Sequence, residues 1–311
     1  MIFSRPGWLH LAILFAFAEF PMTEYATAAG KPNVVVIVGD DMGYADIGVH
    51  GCKDIPTPNI DSLAADGVRC TNGYVSGPYC SPTRAGLLTG RYQTRFGHEF
   101  NPGGGQKKGK GTKSKNLGLP LSEKTMADRL KAAGYATALI GKWHLGDAEP
   151  FRPMSRGFDE FFGFLGGAHS YFPGEGPPIY RGNEPVEESE YFTDAIGREA
   201  AAFIDRQKSD RPFFLCITFN AVHTPMQANE ERLKKFASIG DEKRRTYAAM
   251  MSAMDDAIGA VLTKLEDKKF ADNTLVFFIS DNGGPSLPTT TVNGSINKPL
   301  RGSKRTTLEG G

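Results

Sequence analysis

Short apolar runs recur along the chain, and most of them end on acidic, amide or imidazole side chains. The first, "PNVVVIVGDD" at 32–41, is continuous and β-branched, so it reads as a strand buried on both faces with polar groups at its carboxyl end. "NIDSLAADGVRCTNGYV" follows as a short helix, with Asp61 near its start and Gly67 at its stop, leading through a turn into a second strand. Residues 83–90 predict another helix. The stretch "SEKTMADRLKAAGYATALIGKWHLG" at 122–146 holds a cap, an amphipathic helix, a glycine stop and a strand, one βαβ-like step. A helix is expected over 190–208, and "RPFFLCITFNAVHTP" at 211–225 reads as a buried strand ending at Asn220 and His223. Tyr247, Met250, Met251, Met254, Ile258, Val261, Leu262 and Leu265 fall on a three-to-four spacing, which predicts a long amphipathic helix. "NTLVFFISDNGG" at 273–284 is again a buried strand, and it closes on an acid and an amide. Strands alternating with helices predict an α/β fold with a mostly parallel central sheet flanked by helices. Its site should lie along the carboxyl ends of the strands.

Composition narrows the class. At 311 residues the chain has room for one large α/β domain or two ordinary ones, and its 40% hydrophobic and 23% charged content is that of a globular protein. A net charge of +1 provides no electrostatic footprint for nucleic acid. Arg5, the apolar run "WLHLAILFAF" and the small residues "ATAA" at 26–29 read as a cleaved signal peptide over 1–29, followed by a domain over 30–311. The apolar run is too short for a stable membrane span, so a secreted or periplasmic protein is expected. Cys52, Cys70, Cys80 and Cys216 form no dense disulfide framework, and there is no CxxC pair. "NPGGGQKKGKGTKSKN" at 101–116 reads as a solvated loop, or more sharply as a contact for an anionic polymer. It is not a phosphate loop, because Gly111 stands where Ser or Thr is required and no strand precedes it.

Asp40 and Asp41 end the first strand; Asp281 and Asn282 end the last. A lone pair of this kind is usually a turn or a helix cap. If the strands are neighbours, however, four oxygen-bearing side chains converge, a set that suits Ca²⁺ or Mg²⁺ better than zinc. Three carboxylates meeting at one point would repel, and a bound cation is the expected resolution. In "GKWHLG", strand alternation sends Lys142 and His144 to one side and Trp143 to the other, while "VHTP" and "LRGSKRT" add His223 and Lys304. His50, His98 and His169 have no comparable partners, and Asp255 and Asp256 read as surface positions on the long helix. Cys80, in "GPYCSPTRAGLLTGRY", is compatible with a disulfide, a metal ligand, a thiol nucleophile or a precursor to something else.

"CSPTRAGLLTGR" at 80–91 resembles the sulfatase signature, and "VGDDMGY", "GKWHLG", "HTP" and "SDNGG" match further sulfatase blocks in order, from Asn33 onward. The resemblance implies an alkaline-phosphatase-type fold and hydrolysis of sulfate esters. It implies that a formylglycine-generating enzyme converts Cys80 to formylglycine, whose hydrate attacks sulfur and then releases sulfate as the aldehyde returns. It further implies one Ca²⁺ held by Asp40, Asp41, Asp281 and Asn282 and approached by residue 80. Lys142 and Lys304 would neutralise sulfate oxygens and Arg84 would hold the nucleophile and the ligands. His144 would take the proton that releases sulfate, and His223 would protonate the leaving alcohol. The substrate expected is a sulfated small molecule or polysaccharide, its cleft shaped by 101–116 and by the aromatic stretch "FDEFFGFLGGAHSYF" at 158–172. Two departures stand out. Thr83 replaces the usual Ser, and the resemblance leads one to expect a further strand or two and a smaller carboxyl-terminal domain beyond Gly311, leaving an exposed sheet edge. The competing readings are a phosphoesterase or phosphonate hydrolase of the same superfamily, or an inactive fragment that only binds metal or anionic glycan.

Overall fold

The computed structural model describes residues 30–102, 118–286 and 291–311. The expected signal peptide and most of the lysine-rich segment lie outside them. Among the described residues the strands form one seven-stranded sheet in the order β5-β4-β3-β2-β6-β1-β7. In chain order the elements are β1 (Asn33–Gly39), α1 (Pro58–Ala65), α2 (Cys80–Thr89), α3 (Met126–Ala132), β2 (Ala136–Lys142), β3 (Glu160–Phe164), β4 (Ile179–Arg181) and β5 (Glu184–Val186). They continue with α4 (Phe192–Arg206), β6 (Phe213–Thr218), α5 (Glu230–Lys235), α6 (Glu242–Asp267) and β7 (Thr274–Ser280). β3, β2, β6, β1 and β7 run parallel, and β4 and β5 add an antiparallel hairpin at one edge. This is the mostly parallel α/β architecture that the sequence predicts.

The central strands are apolar on both faces because helices cover both. Val35, Ile37, Leu215 and Ile217 join Ile196, Phe203, Met250, Met254 and Ile258 of α4 and α6 in one cluster. Val36, Val38, Phe214 and Cys216 meet Ala85 and Leu88 of α2, with Trp143 and Phe158, on the other face. Each such fully buried side chain contributes roughly 1.5–3 kcal/mol. The helices start where their caps dictate. Asp241 accepts the Arg244 N–H at 2.6 Å to open α6, and Thr125 with Asp128 closes a capping box at α3. Among the described residues no helix is long and apolar enough to cross a membrane.

Several expectations fail for identifiable reasons. No strand forms after Gly67; residues 68–79 are irregular, with a turn at 71–72 and bends at 76 and 78–79, and Val68 is 88% exposed, because "VRCTNGYV" has too few apolar positions to form a covered face. The aromatic stretch at 158–172 is mainly core: Phe158, Phe161, Phe162, Phe164 and Tyr171 are buried, and β3 lies inside the sheet between β2 and β4. The β4–β5 hairpin turns on Gly182-Asn183, a two-residue signal present in the sequence. α2 begins at Cys80, not residue 83. Asp255 is buried, not a surface position: its carboxylate accepts the Asn59 and Ile60 N–H groups and caps α1, whose own Thr57 makes no side-chain cap. All four cysteines are free thiols. β7 is the edge strand opposite β5, with Leu275 and Phe277 each 51% exposed.

Candidate active site

Parallel pairing of β1 with β7 places the two acid-bearing strand ends side by side, and the Asp281 N–H donates to Gly39 O at 3.0 Å. Asp40 and Asp41 follow β1 directly. Asp41 adopts a left-handed backbone at φ 59, unusual for a residue with a Cβ. It is held there by Asn293, fully buried, whose Nδ2 donates to Asp41 O at 3.1 Å and to Val222 O at 3.0 Å. The same amide therefore ties the Asp41 loop to the loop of His223.

Opposite these carboxylates, α2 brings its first residue. Cys80 is buried, its thiol donates to Asp40 Oδ1 at 3.4 Å, and Lys304 Nζ donates to its sulfur at 3.3 Å. Burial first, then the Asp281 and Asp40 carboxylates, push the Cys80 thiol far above its ordinary range. It is therefore a poor nucleophile as it stands. One turn later Arg84 lies under the site. Its Nε and Nη2 donate to Asp281 Oδ2 at 3.1 and 2.8 Å, and its Nη1 donates to Lys142 O at 3.1 Å. Lys142, fully buried, donates to Asp40 Oδ2, and Lys304 donates to Asp41 Oδ1 at 2.6 Å. Thr83 uses its hydroxyl locally, donating to Gly77 O at 2.6 Å.

Asp40, Asp41 and Asp281 thus face Arg84, Lys142 and Lys304, three charges against three. The mutual repulsion that the sequence leads one to expect is partly offset by the protein's own cations. The charges are unevenly shared. Burial would raise Asp40, but Lys142, His223, Arg84 and Lys304 outweigh it and hold the carboxyl well below its usual range. Burial and the Asp40 charge raise Asp281 to about 6 despite Arg84.

The two histidines converge from neighbouring strand ends. His223 Nδ1 donates to Thr224 O at 2.6 Å, and its Nε2 faces Asp41 Oδ2 at 3.6 Å. His144 is 8% exposed, has φ 60, and leaves Nδ1 without a partner among the described residues. Burial, then the Lys142 and Arg84 charges, hold it well below the ordinary imidazole range, so it is a neutral base at neutral pH. Trp143 points away into the core, as alternation predicts.

Some buried polar atoms of the site have no partner among the described residues. Asn282 donates Nδ2 to Asp41 Oδ1 and Gly283 O, which leaves its Oδ1 buried with no partner among the described residues. An acceptor stranded among carboxylates fits a cation. Ligand atoms of Asp40, Asp41, Cys80 and His223 all lie within 4.8 Å of one another, two carboxylate oxygens with a sulfur and a ring nitrogen; the oxygens of Asp40, Asp41 and Asn282 are the donors that suit a hard divalent ion. Asn220, at the end of β6, has both side-chain polar atoms buried and unpartnered among the described residues. Its position at a strand tip was the available signal. Nothing in the pattern marked Asn293, or Tyr171, whose hydroxyl lies 2.6 Å from Asn220 O and 2.8 Å from His223 O, shares its one proton between them and braces the His223 loop.

The Sulfatase family model matches residues 32–311. Human N-acetylgalactosamine-6-sulfatase is 38% identical over 302 residues, 91% of this chain and 56% of the human protein. Mouse arylsulfatase J is 36% identical over 296 residues, 90% of this chain and 46% of its own length. Among solved structures, Ps i-CgsB, also solved with k-i-k-neocarrahexaose, has a TM-score of 0.82 at 41% identity, covering 90% of this chain and 64% of that one. The chain thus spans about half the length of these two mammalian relatives. With the family match running across every strand that builds the site, the chain belongs to the sulfatase family.

Proposed function

We propose that the chain carries the catalytic site of a sulfatase that removes sulfate from a sulfated carbohydrate, with Cys80 converted to formylglycine and one Ca²⁺ bound. The domain would be residues 30–311, exported behind a signal peptide at 1–29. The observation that carries the reading is the seat of Cys80. It opens α2 and is buried, with its sulfur 3.4 Å from Asp40 Oδ1 and 3.3 Å from Lys304 Nζ, at the meeting point of the carboxylates and the cations.

Asp40, Asp41, Asp281 and Asn282 would hold the ion, which when bound supplies Lewis-acid polarisation of the sulfate and favours an anionic nucleophile. Formylglycine supplies the attacking oxygen in place of the thiol. The chain's own residues do the rest. Lys142 and Lys304, already against Asp40 and Asp41, stand where sulfate oxygens would need neutralising. Residue 80 is the first residue of α2, where the helix dipole favours an anion. His144, neutral and with a free ring nitrogen, accepts a proton from residue 80 as sulfate is expelled. His223, its Nδ1 fixed by Thr224 O, presents Nε2 to donate a proton to the departing alcohol. Arg84 holds Asp281 and the end of β2 in register and touches neither substrate nor product.

For the substrate, the names of the relatives support a carbohydrate: an N-acetylgalactosamine sulfate for the human enzyme and an oligosaccharide in the Ps i-CgsB complex. The test is co-expression with a formylglycine-generating enzyme, mass analysis of the Cys80 peptide, and turnover of paired aryl sulfate and aryl phosphate. Conversion with sulfate ester hydrolysis that C80A abolishes is expected. An unmodified thiol under those conditions, or faster phosphate than sulfate turnover, would overturn the reading, the latter in favour of a phosphoesterase.

A further inference from the structure

We propose that Ser81 and His98 form a positioning couple that locks the general base, His144, to the nucleophile-bearing end of α2. The inference rests on the reading above for what His144 does, but the couple itself is defined by geometry. Ser81 follows Cys80 and is fully buried. Its hydroxyl donates to the backbone oxygen of His144 at 2.7 Å and lies 2.7 Å from His98 Nε2. A hydroxyl has one proton, and a carbonyl oxygen can only accept. The Ser81 proton is therefore committed to His144 O, and His98 Nε2 must carry a proton and donate it to Ser81 Oγ. His98 is 8% exposed, and its backbone N–H donates to Gln93 O at 3.1 Å. Asn101 closes the arrangement by accepting the Ser81 N–H at 3.2 Å.

The reason such a couple is needed is the backbone of His144. Its φ of 60 is a left-handed conformation that a side chain with a Cβ adopts at a cost of order 1 kcal/mol or more. Strain of that kind persists only where both backbone polar groups are tied down. The His144 N–H donates to Leu165 O at 3.1 Å, and its C=O is tied by Ser81. No regular strand or helix holds residue 144, because β2 ends at Lys142. One hydroxyl thus fixes the distance between residue 80 and the base that must take its proton, and His98 fixes the hydroxyl. His98 touches neither the reacting atoms nor the carboxylate cluster, so it acts by position.

The test compares the chain with H98A, H98Q, S81A and S81A/H98A. Cys80 conversion is measured in each by mass spectrometry, and kcat is expressed per converted site. Gln can present a side-chain N–H close to where His98 Nε2 lies, so H98Q is the conservative variant. H98A is expected to lower kcat about 10- to 100-fold with KM within about twofold, since a misplaced base harms the chemical step and not binding. H98Q should recover most of that loss, and the double variant should be no worse than S81A alone. Independently of turnover, amide hydrogen exchange in the segment at 143–146 should accelerate about tenfold in H98A, with the β7 amides unchanged. Unchanged exchange at 143–146 in H98A overturns the couple, as does an H98Q variant as impaired as H98A. If the exchange responds as stated while the fully converted wild-type chain hydrolyses no sulfate ester, the couple stands and the sulfatase reading fails.

Discussion

Removing Arg84 is the most demanding test of how the site is held together. R84A would leave the Asp281 carboxylate with no cation in hydrogen-bond contact. Arg84 supplies it with two N–H bonds at 3.1 and 2.8 Å, and what remains is one Asp41 N–H at 3.4 Å. The Asp40 carboxylate also loses a neighbour at 3.7 Å, though it keeps Lys142. The Arg84 side chain is 4% exposed and that of Asp281 fully buried, so solvent cannot replace the lost partner. Breaking a buried pair by deleting one member typically costs about 3–5 kcal/mol, because the other charge is stranded. With a urea m-value of roughly 3 kcal/mol/M, the unfolding midpoint should fall by about 1–1.7 M. The assay is urea unfolding followed by tryptophan fluorescence, with Trp143 buried beside the site. Neutralising the stranded acid should then help: R84A/D281N should be more stable than R84A, although D281N alone lowers stability. A midpoint shift below about 0.3 M for R84A, or a double variant no better than R84A, would refute the stranded-charge reasoning.

Other expectations follow from the same geometry. In the unconverted native chain, alkylation at pH 8 should label Cys70 quickly and Cys52 more slowly; Cys80, and Cys216 with its thiol pushed up to about 12, should react only after unfolding. D255A should cost about 1–2 kcal/mol in urea unfolding, the price of an N-cap, because Asp255 alone caps α1. G141A should disrupt the end of β2, since a Cβ there would sit 1.9 Å from Thr218 O at a φ of 118; loss of folded protein on expression is the readout, and a normal melting temperature would contradict it. Calcium should raise the melting temperature of the chain, and N282A should shrink that shift, because Asn282 Oδ1 is the unpaired acceptor facing the carboxylates.

The core of the fold was legible because its signals are local. β1, β6 and β7 are continuous apolar runs, and α6 repeats its apolar residues every three or four positions for most of its length. The strand-end residues Asp40, Asp41, Asp281 and Asn282 were legible for the same reason, since a parallel sheet puts its polar tips on one edge. What escaped were contacts made across the chain. Asp255 looks like any helix-surface acid until its partners at 59 and 60, far away in sequence, are placed beside it. Asn293 and His98 are similar: their roles depend on a carbonyl 252 residues away in one case and a serine 17 away in the other. β3 was missed because "EFFGF" is short and glycine-interrupted, and a run of that length fits strand or loop equally well.

The clamps at Asp41 and His144 have a common logic. Both residues sit just past a strand end, both carry a Cβ at positive φ, and both are tied through the backbone oxygen by a buried side chain: Asn293 for Asp41 and Ser81 for His144. Past the strand, ladder hydrogen bonds no longer dictate the backbone, so direction must come from elsewhere. A left-handed residue reverses the path of the chain within one step, which lets a carboxylate or imidazole turn back over the sheet edge instead of continuing outward. On the proposed mechanism, with His144 as base and Asp41 as ligand, the conformational cost is small beside the several kcal/mol that misaiming either would remove from transition-state stabilisation. Neither clamp contacts the reacting atoms. The chemistry of this site is therefore sustained as much by two oxygen-to-side-chain bonds at its rim as by the charged residues that face one another inside it.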